Sequence, residues 1–205
     1  MNPKHTSLIF PIIALSLALL IPGCASTSVK RVSADKQIDV SGNWNDTDIR
    51  IVCESLIDEC VESRVITNYK KKNGKLPVVK LGEIMNLSDE HIDTSIIAGK
   101  FRNAIINSGE LKFVSSDSEV DSLRSERMSQ EDFASSETAS SLTTETGADF
   151  MLLGTLKTVV DSEGKTMVKT YYVNVELHDI ETSEILWSAE NSEIKKVITR
   201  AKVKK

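Results

Sequence analysis

Nucleophiles, bases and metal ligands are the residues that could carry chemistry, and in this chain they are few and scattered. Three histidines and three cysteines occur in 205 residues. His5 lies at the extreme N-terminus, which leaves His91 in a polar turn and His178 near the end of a strand. A nucleophilic site needs a base within hydrogen-bond reach and a third group to orient it. No Ser/His/Asp or Cys/His arrangement suggests itself, and no H-E-x-x-H, Walker A loop or G-x-G-x-x-G is present. Cys53 and Cys60 stand seven apart in a stretch of helical periodicity. Seven residues of helix rise about 10 Å, whereas a disulfide needs Cα atoms within about 7 Å. The two cysteines therefore share a face without bridging, as small buried apolar groups. Neither a histidine nor a third cysteine accompanies them at ligand spacing. The carboxylates read as solvated charges, although an acid/base pair drawn from distant parts of the chain stays open. The sequence thus assigns no catalytic residue, no cofactor site and no metal ligand, and the protein reads as a non-enzyme.

The third cysteine has a different chemistry available to it. Lys4 and His5 make a short basic start, and an apolar stretch from Leu8 to Ile21 follows, broken only by Pro11 and Ser16. Then comes Ile21-Pro22-Gly23-Cys24. A basic start, a short apolar run and a small residue at the cut describe a secretory signal. The run is short of the roughly 20 apolar residues that a spanning helix needs. Gly23-Cys24 resembles the lipobox of bacterial lipoproteins, with Pro22 where a small residue is usual. That resemblance implies cleavage before Cys24 and acylation of its thiol. Each buried CH₂ of an acyl chain contributes about 0.8 kcal/mol of membrane affinity, so two or more chains anchor stably. Ala25, in place of an aspartate, favours the outer membrane, facing the periplasm, over the inner membrane. The expected organisation is a signal peptide over 1–23, a lipidated Cys24 with a short flexible tether over 24–40, and a globular domain over 41–205.

The elements that would position any surface site follow from periodicity and caps. Net charge is -5 for the whole chain and -6 once the signal with Lys4 is removed, so nucleic acid is not an expected partner. The first helix is predicted to start at Asn45, a good N-cap, with Asp46 and Asp48 in the first turn where the helix dipole favours negative charge. Trp44 before the cap and Ile49 at N4 fit a hydrophobic staple. Ile49, Val52, Cys53, Leu56 and Cys60 repeat at helical spacing. This helix is expected to fade near Asn68, with a turn over Lys70–Lys75. A strand over Leu76–Ile84 follows, then a polar turn over Asn86–Glu90. A second helix, capped by Asp93 or Thr94, is closed by Gly109. A strand over Leu111–Val114 completes a strand–helix–strand unit, which favours a parallel pair. Residues 117–146 read as a polar, mostly helical stretch, two helices meeting near Ser129. The last third is β-rich: Phe150–Val160, Val168–Asp179 and a strand face of Ile185, Trp187 and Ala189, joined by short turns into an antiparallel meander. Tyr171, Val173, Val175 and Leu177 share one face of the middle strand. From Ile194 the chain is basic, read as a short helix or a frayed tail. The fold class is α/β (α+β): one domain with a mixed β-sheet of about five strands flanked by helices.

Four surface features could meet a partner, each with a plainer structural reading. Ser41–Asp46 is also a helix cap. Tyr171 and Tyr172 are also core and surface residues of one strand. The polar 117–146 region is also a solvated face. Lys195, Lys196, Arg200, Lys202, Lys204 and Lys205 could meet anionic lipid or cell-wall polymer, or form a solvated tail.

Several runs point to one family. Ser41-Gly42-Asn43-Trp44-Asn45-Asp46-Thr47-Asp48 resembles the opening of the penicillin-binding-protein activator lipoproteins of the LpoB type. So do His91-Ile92-Asp93-Thr94 before the second helix, Gly147–Gly154 where a strand begins, and the hairpin Val175–Trp187. Their order and spacing, with the lipobox, cover nearly all the mature chain. The resemblance implies a small domain similar to the N-terminal domain of TolB. It also implies a partner, a bifunctional penicillin-binding protein (peptidoglycan synthase) whose glycan polymerisation and cross-linking the lipoprotein stimulates in the periplasm. One departure stands out. The best-known members carry a long, proline-rich tether, whereas some 16 residues here span at most about 55 Å. That shortness leaves open an envelope lipoprotein acting as a binding or assembly factor for a secretion or outer-membrane complex. No partner-binding residue is carried over from the family.

Overall fold

The computed structural model describes residues 28–33, 36–131 and 146–200. The chain divides after Lys36. In the N-terminal unit the described residues form no helix or strand. The body from Gln37 on carries all the described regular elements. Cys24 and the signal lie outside the described residues.

Helix α1 spans Asp46–Glu62, and Asn45 caps it as its chemistry predicts. The Asn45 side chain accepts from the backbone N–H of Thr47 and Asp48, and the Asp48 carboxylate accepts from Asn45 N–H, a complete capping box. The helix does not run to Asn68. It stops at Ser63, which takes an extended conformation and caps a second helix, α2, over Arg64–Asn73. The expected turn at Lys70–Lys75 is therefore mostly helix, closed by Gly74 at φ 64°. Lysines in a last turn face the negative end of the dipole, so a basic run there supports helix as well as turn.

Strand β1 covers Val78–Asn86, α3 covers Thr94–Ser108 with Asp93 as N-cap and Gly109 as C-cap, and β2 is the short Lys112–Phe113. β1 and β2 pair in parallel, as the strand–helix–strand order implies. Helix α4 runs over Asp117–Glu131. The second helix expected beyond Ser129 falls on residues 132–145, outside the described residues. Strands β3 (Phe150–Glu163) and β4 (Thr166–Asp179) form a long hairpin around Gly164-Lys165, and β5 covers Ile185–Asn191. Asp161–Glu163, expected as turn, extends β3.

The basic end is neither helix nor tail through Thr199. Lys195–Thr199 forms β6, antiparallel to the first half of β4. The alternation of Lys196 and Ile198 against Lys195, Val197 and Thr199 in burial is that of a half-covered strand. Charge masked the period. The sheet order is β2-β1-β3-β4-β5, with β6 beside β5 on the same edge of β4. The sheet is mixed, with six strands against the five expected.

Helix α1 packs on α3 and β5, and α3 packs on β1 and β2. Between helices and sheet lies one core: Val52, Cys53, Leu56, Ile57 and Cys60 of α1, Ile97, Phe101 and Ile105 of α3, and Tyr171, Val173, Val175 and Leu177 of β4. Burying each such Leu, Ile or Val contributes about 1.5–3 kcal/mol. Cys53 and Cys60 are unbridged, and burial pushes both thiols up to about 12. The β5 face departs from expectation at one end. Trp187 pairs with Leu177, but Ile185 pairs with His178, so one extra residue bulges on β5. The bulge turns Ile185 out to solvent and brings Leu186 against the core.

Candidate functional site

The polar interior of the body gathers where four segments meet: the 39–48 run, the 86–93 loop, and the paired stretches of β4 and β6. Period-2 alternation that buries Tyr171 and Val173 also turns Lys169 inward. Its side chain is 9% exposed and must find a partner, because an unpaired buried ammonium is very costly. Lys169 Nζ lies 2.6 Å from Glu90 Oε1 and 3.1 Å from Asp89 Oδ2. Tyr171 donates its hydroxyl to the same Glu90 Oε1 at 2.5 Å, and Trp44 N–H donates to Glu90 Oε2 at 2.9 Å. Thr158 donates to Asp89 Oδ1 at 2.6 Å.

A second pair sits beside the first. Lys196 of β6 is the cross-strand partner of Lys169. Its Nζ lies 2.6 Å from Asp48 Oδ2 and 3.0 Å from Asp39 Oδ1, and it donates to the Asn43 carbonyl at 2.8 Å. Two lysines on neighbouring strands would repel, and each is instead neutralised by its own pair of carboxylates. Gly42 lets the chain pass close over β6: a Cβ there would fall 2.0 Å from Ile198 Cδ1.

The ionisation of the cluster follows from these contacts. Burial alone would raise the Glu90 carboxyl, but the hydrogen bonds from Lys169, Tyr171 and Trp44 outweigh it and hold Glu90 below its ordinary value. Asp89 is held low by Thr158 and then Lys169. Asp39 is held low by Gln37, Lys196 and Asn45. Burial would lower the Lys169 ammonium, yet Glu90 and Asp89 keep it above the ordinary lysine range. Burial, then Glu90, pushes the Tyr171 hydroxyl up. At neutral pH Lys169 is protonated and paired, and Tyr171 is neutral. The arrangement is a clasp that fixes the 39–48 run and the 86–93 loop against the sheet.

Outside this clasp a groove of about 730 Å³ opens, lined by Trp44, Ile49, Ile92 and Ile96 together with Asp46, Asp89 and Asp93. The Trp44 ring packs on Tyr171 at 5.0 Å between centroids, tilted by 52°. Trp44 Nε1 is buried without a hydrogen-bond partner among the described residues. A second cleft of about 620 Å³ lies by Tyr69, Asp149 and Asp179, and a third of about 550 Å³ lies by Thr155, Asn174 and His178.

The residues singled out in the sequence are distributed among these places. The Ser41–Asp46 run is both helix cap and groove wall. Tyr171 is buried in the clasp, and Tyr172 sits half-buried on the opposite sheet face. His91 lines the groove, while His178 lies in the third cleft, 3.1 Å from Glu176 Oε2, so the two histidines are not brought together. Of the basic end, Lys196 is consumed by the clasp, Lys195 and Arg200 are exposed, and Lys202, Lys204 and Lys205 fall outside the described residues. In α4, Leu123 and Met128 are exposed, at 46% and 68%. Sequence reasoning missed Lys169, Asp89 and Glu90. The signal was present: Lys169 shares the parity of Tyr171, and a lysine on a buried face calls for a carboxylate. Among the described residues no group of His, Cys, Asp or Glu could hold a metal ion. No helix among them is long and apolar enough to cross a membrane.

Comparison with known proteins gives one family. The family described as peptidoglycan-synthase activator LpoB matches residues 48–193. A search of curated proteins returned no match. Among solved structures, the LpoB C-terminal domain from Salmonella enterica is similar at 15% identity and a TM-score of 0.42, covering 75% of this chain and 99% of that one. The LpoB C-terminal domain from Escherichia coli is similar at 13% identity and a TM-score of 0.43, again over 75% and 99%. A lipoprotein from Neisseria meningitidis is similar at 15% identity and a TM-score of 0.37, over 59% of this chain and 83% of its own.

Proposed function

The chain belongs to the peptidoglycan-synthase activator LpoB family, and from that premise we propose that it is an envelope lipoprotein that binds and activates a bifunctional penicillin-binding protein. The family match across residues 48–193, most of the body, is the observation that carries this reading. The activator makes no bond itself. It binds an active conformation of the synthase better than an inactive one and so shifts the population. A tenfold shift requires a differential affinity of about 1.4 kcal/mol, well within what one protein interface supplies. Cys24, acylated after removal of the signal, holds the chain at a membrane, and Ala25 favours the outer membrane with the body in the periplasm.

A second reading is an envelope binding or assembly factor for a secretion or outer-membrane complex. The observation favouring it is the short stretch between Cys24 and the body, which lacks the reach of a long tether. One measurement separates these readings, and another tests the anchor they share. The full chain, purified in detergent, is titrated against the purified bifunctional synthase of the same organism; saturable binding supports the activator reading, and its absence favours the assembly reading. Palmitate labelling of growing cells tests the anchor: the wild-type chain takes up label, and a Cys24→Ser variant that still does so sinks the acylation claim.

A further inference from the structure

Three features of the groove beside the clasp identify what it can hold. Its apolar wall is exposed where the fold could have covered it: Ile96 is 51% exposed in the first turn of α3, next to half-buried Trp44 and Ile92. Its charge is one-sided. Asp46, Asp89, Glu90 and Asp93 line it against one lysine, Lys169, an excess of three carboxylates. Lys169 is already held by Glu90 and Asp89 and offers nothing to an anion.

Two helix N-termini also end at the groove, and helix N-termini attract anions. Here several of their donors are taken by the caps. Asn45 takes the N–H groups of Thr47 and Asp48, and Asp93 takes that of Ser95. An incoming anion would meet carboxylates instead of free amides.

We propose that the groove is the docking site for a cationic segment of the synthase, with an apolar side chain against Trp44 and Ile96 and Lys or Arg beside it facing Asp46, Asp89 and Asp93. This rests on the activator reading for the identity of the partner, but the chemistry of the segment rests on the groove alone. An amphipathic anchor in an apolar slot with a charged rim is a common recognition mode. The rim charges set orientation and association rate more than affinity.

The test uses the full chain in detergent and two probes. The first is the purified bifunctional synthase. Ile96→Arg places a cation in the groove and weakens binding about tenfold or more, because like charges facing across an interface are strongly unfavourable. Ile106→Arg is the control, equally exposed on the same helix and outside the groove, and leaves binding unchanged. The second probe is a pair of synthetic peptides, alternating Leu with Lys or Leu with Glu, followed by the Trp44 indole resonance in nuclear magnetic resonance spectra. The Leu/Lys peptide shifts that resonance saturably and the Leu/Glu peptide does not. A synthase that binds the wild type and Ile96→Arg equally overturns the proposal while leaving the activator reading intact. A synthase that binds neither overturns the activator reading, and the peptide pair then decides the groove: no selective response to the cationic peptide overturns it. Circular dichroism of both arginine variants, matching wild type, shows that lost binding is not lost folding.

Discussion

Lys169 is the residue on which the polar interior turns. Removing one partner of a buried ion pair leaves the other charged and unpaired, which costs more than the pair itself contributes. Lys169→Met is therefore expected to destabilise the protein by about 3 kcal/mol, read as a lower urea midpoint at unchanged slope. Adding Glu90→Gln to it should recover part of the loss, since no buried charge is then left alone. The same contacts predict the pH profile. Glu90 and Asp89 titrate below their ordinary values of 4.5 and 3.8 in the folded state. Their stabilisation is therefore intact above those values and disappears as pH falls below them through the lower folded-state values. Lys169 titrates above its ordinary 10.5 and Tyr171 above its ordinary 10.0. Their stabilisation is intact below about pH 10 and disappears as pH rises further. Cys53 and Cys60, whose buried thiols are pushed from 9.0 up to about 12, add to the alkaline loss and start it earlier. Stability against urea should thus be flat from about pH 5 to about pH 8 and fall on both sides, with the acid limb shallower in Glu90→Gln. The cap at Asn45 and the buried face through Tyr171 are legible in the sequence, because each is a local pattern. The clasp is not, because its lysines lie 79 to 157 positions from their carboxylates and only the assembled sheet brings them together.

At the scale of elements, local rules account for what the sequence reveals. The capping box at Asn45 is expected to be worth about 1–2 kcal/mol, so Asn45→Ala should lower stability by that amount, measured by the same urea titration. Part of that loss includes the Asn45 contact with Asp39, which a helix peptide alone would not show. Periodicity locates the start of α1, and α3, β1 and the β3–β4 hairpin, to within a few residues. It misplaces what lacks a strong period. Ser63 divides one apolar stripe into two helices because a serine cap offers an alternative partner for the backbone. β6 reads as a tail because its lysines hide a strand whose pairing is set by β4, and Lys196 is tolerated inside because Asp48 and Asp39 await it. The bulge in β5 reverses the side of Ile185, an outcome no alternation rule contains.

At the scale of the whole body from Gln37 on, the described residues form a mixed sheet on which α1 and α3 pack around one core, and a polar clasp holds the N-terminal run of the body against the sheet. The run that carries the clasp also opens the groove, so the surface that could meet a partner is fixed by the same lysines that stabilise the fold. An activator needs such a rigid surface, because only a defined shape discriminates between two conformations of its target. The proposed role, raising the activity of a bifunctional peptidoglycan synthase, is open to direct assay. The direct measurement adds the full chain, in detergent, to the purified bifunctional penicillin-binding protein of the same organism and follows the rate of glycan polymerisation from lipid II. The account predicts a saturable rise of severalfold, as a population shift of about 1 kcal/mol would give. An unchanged rate at saturating chain, with the synthase active on its own, would contradict it.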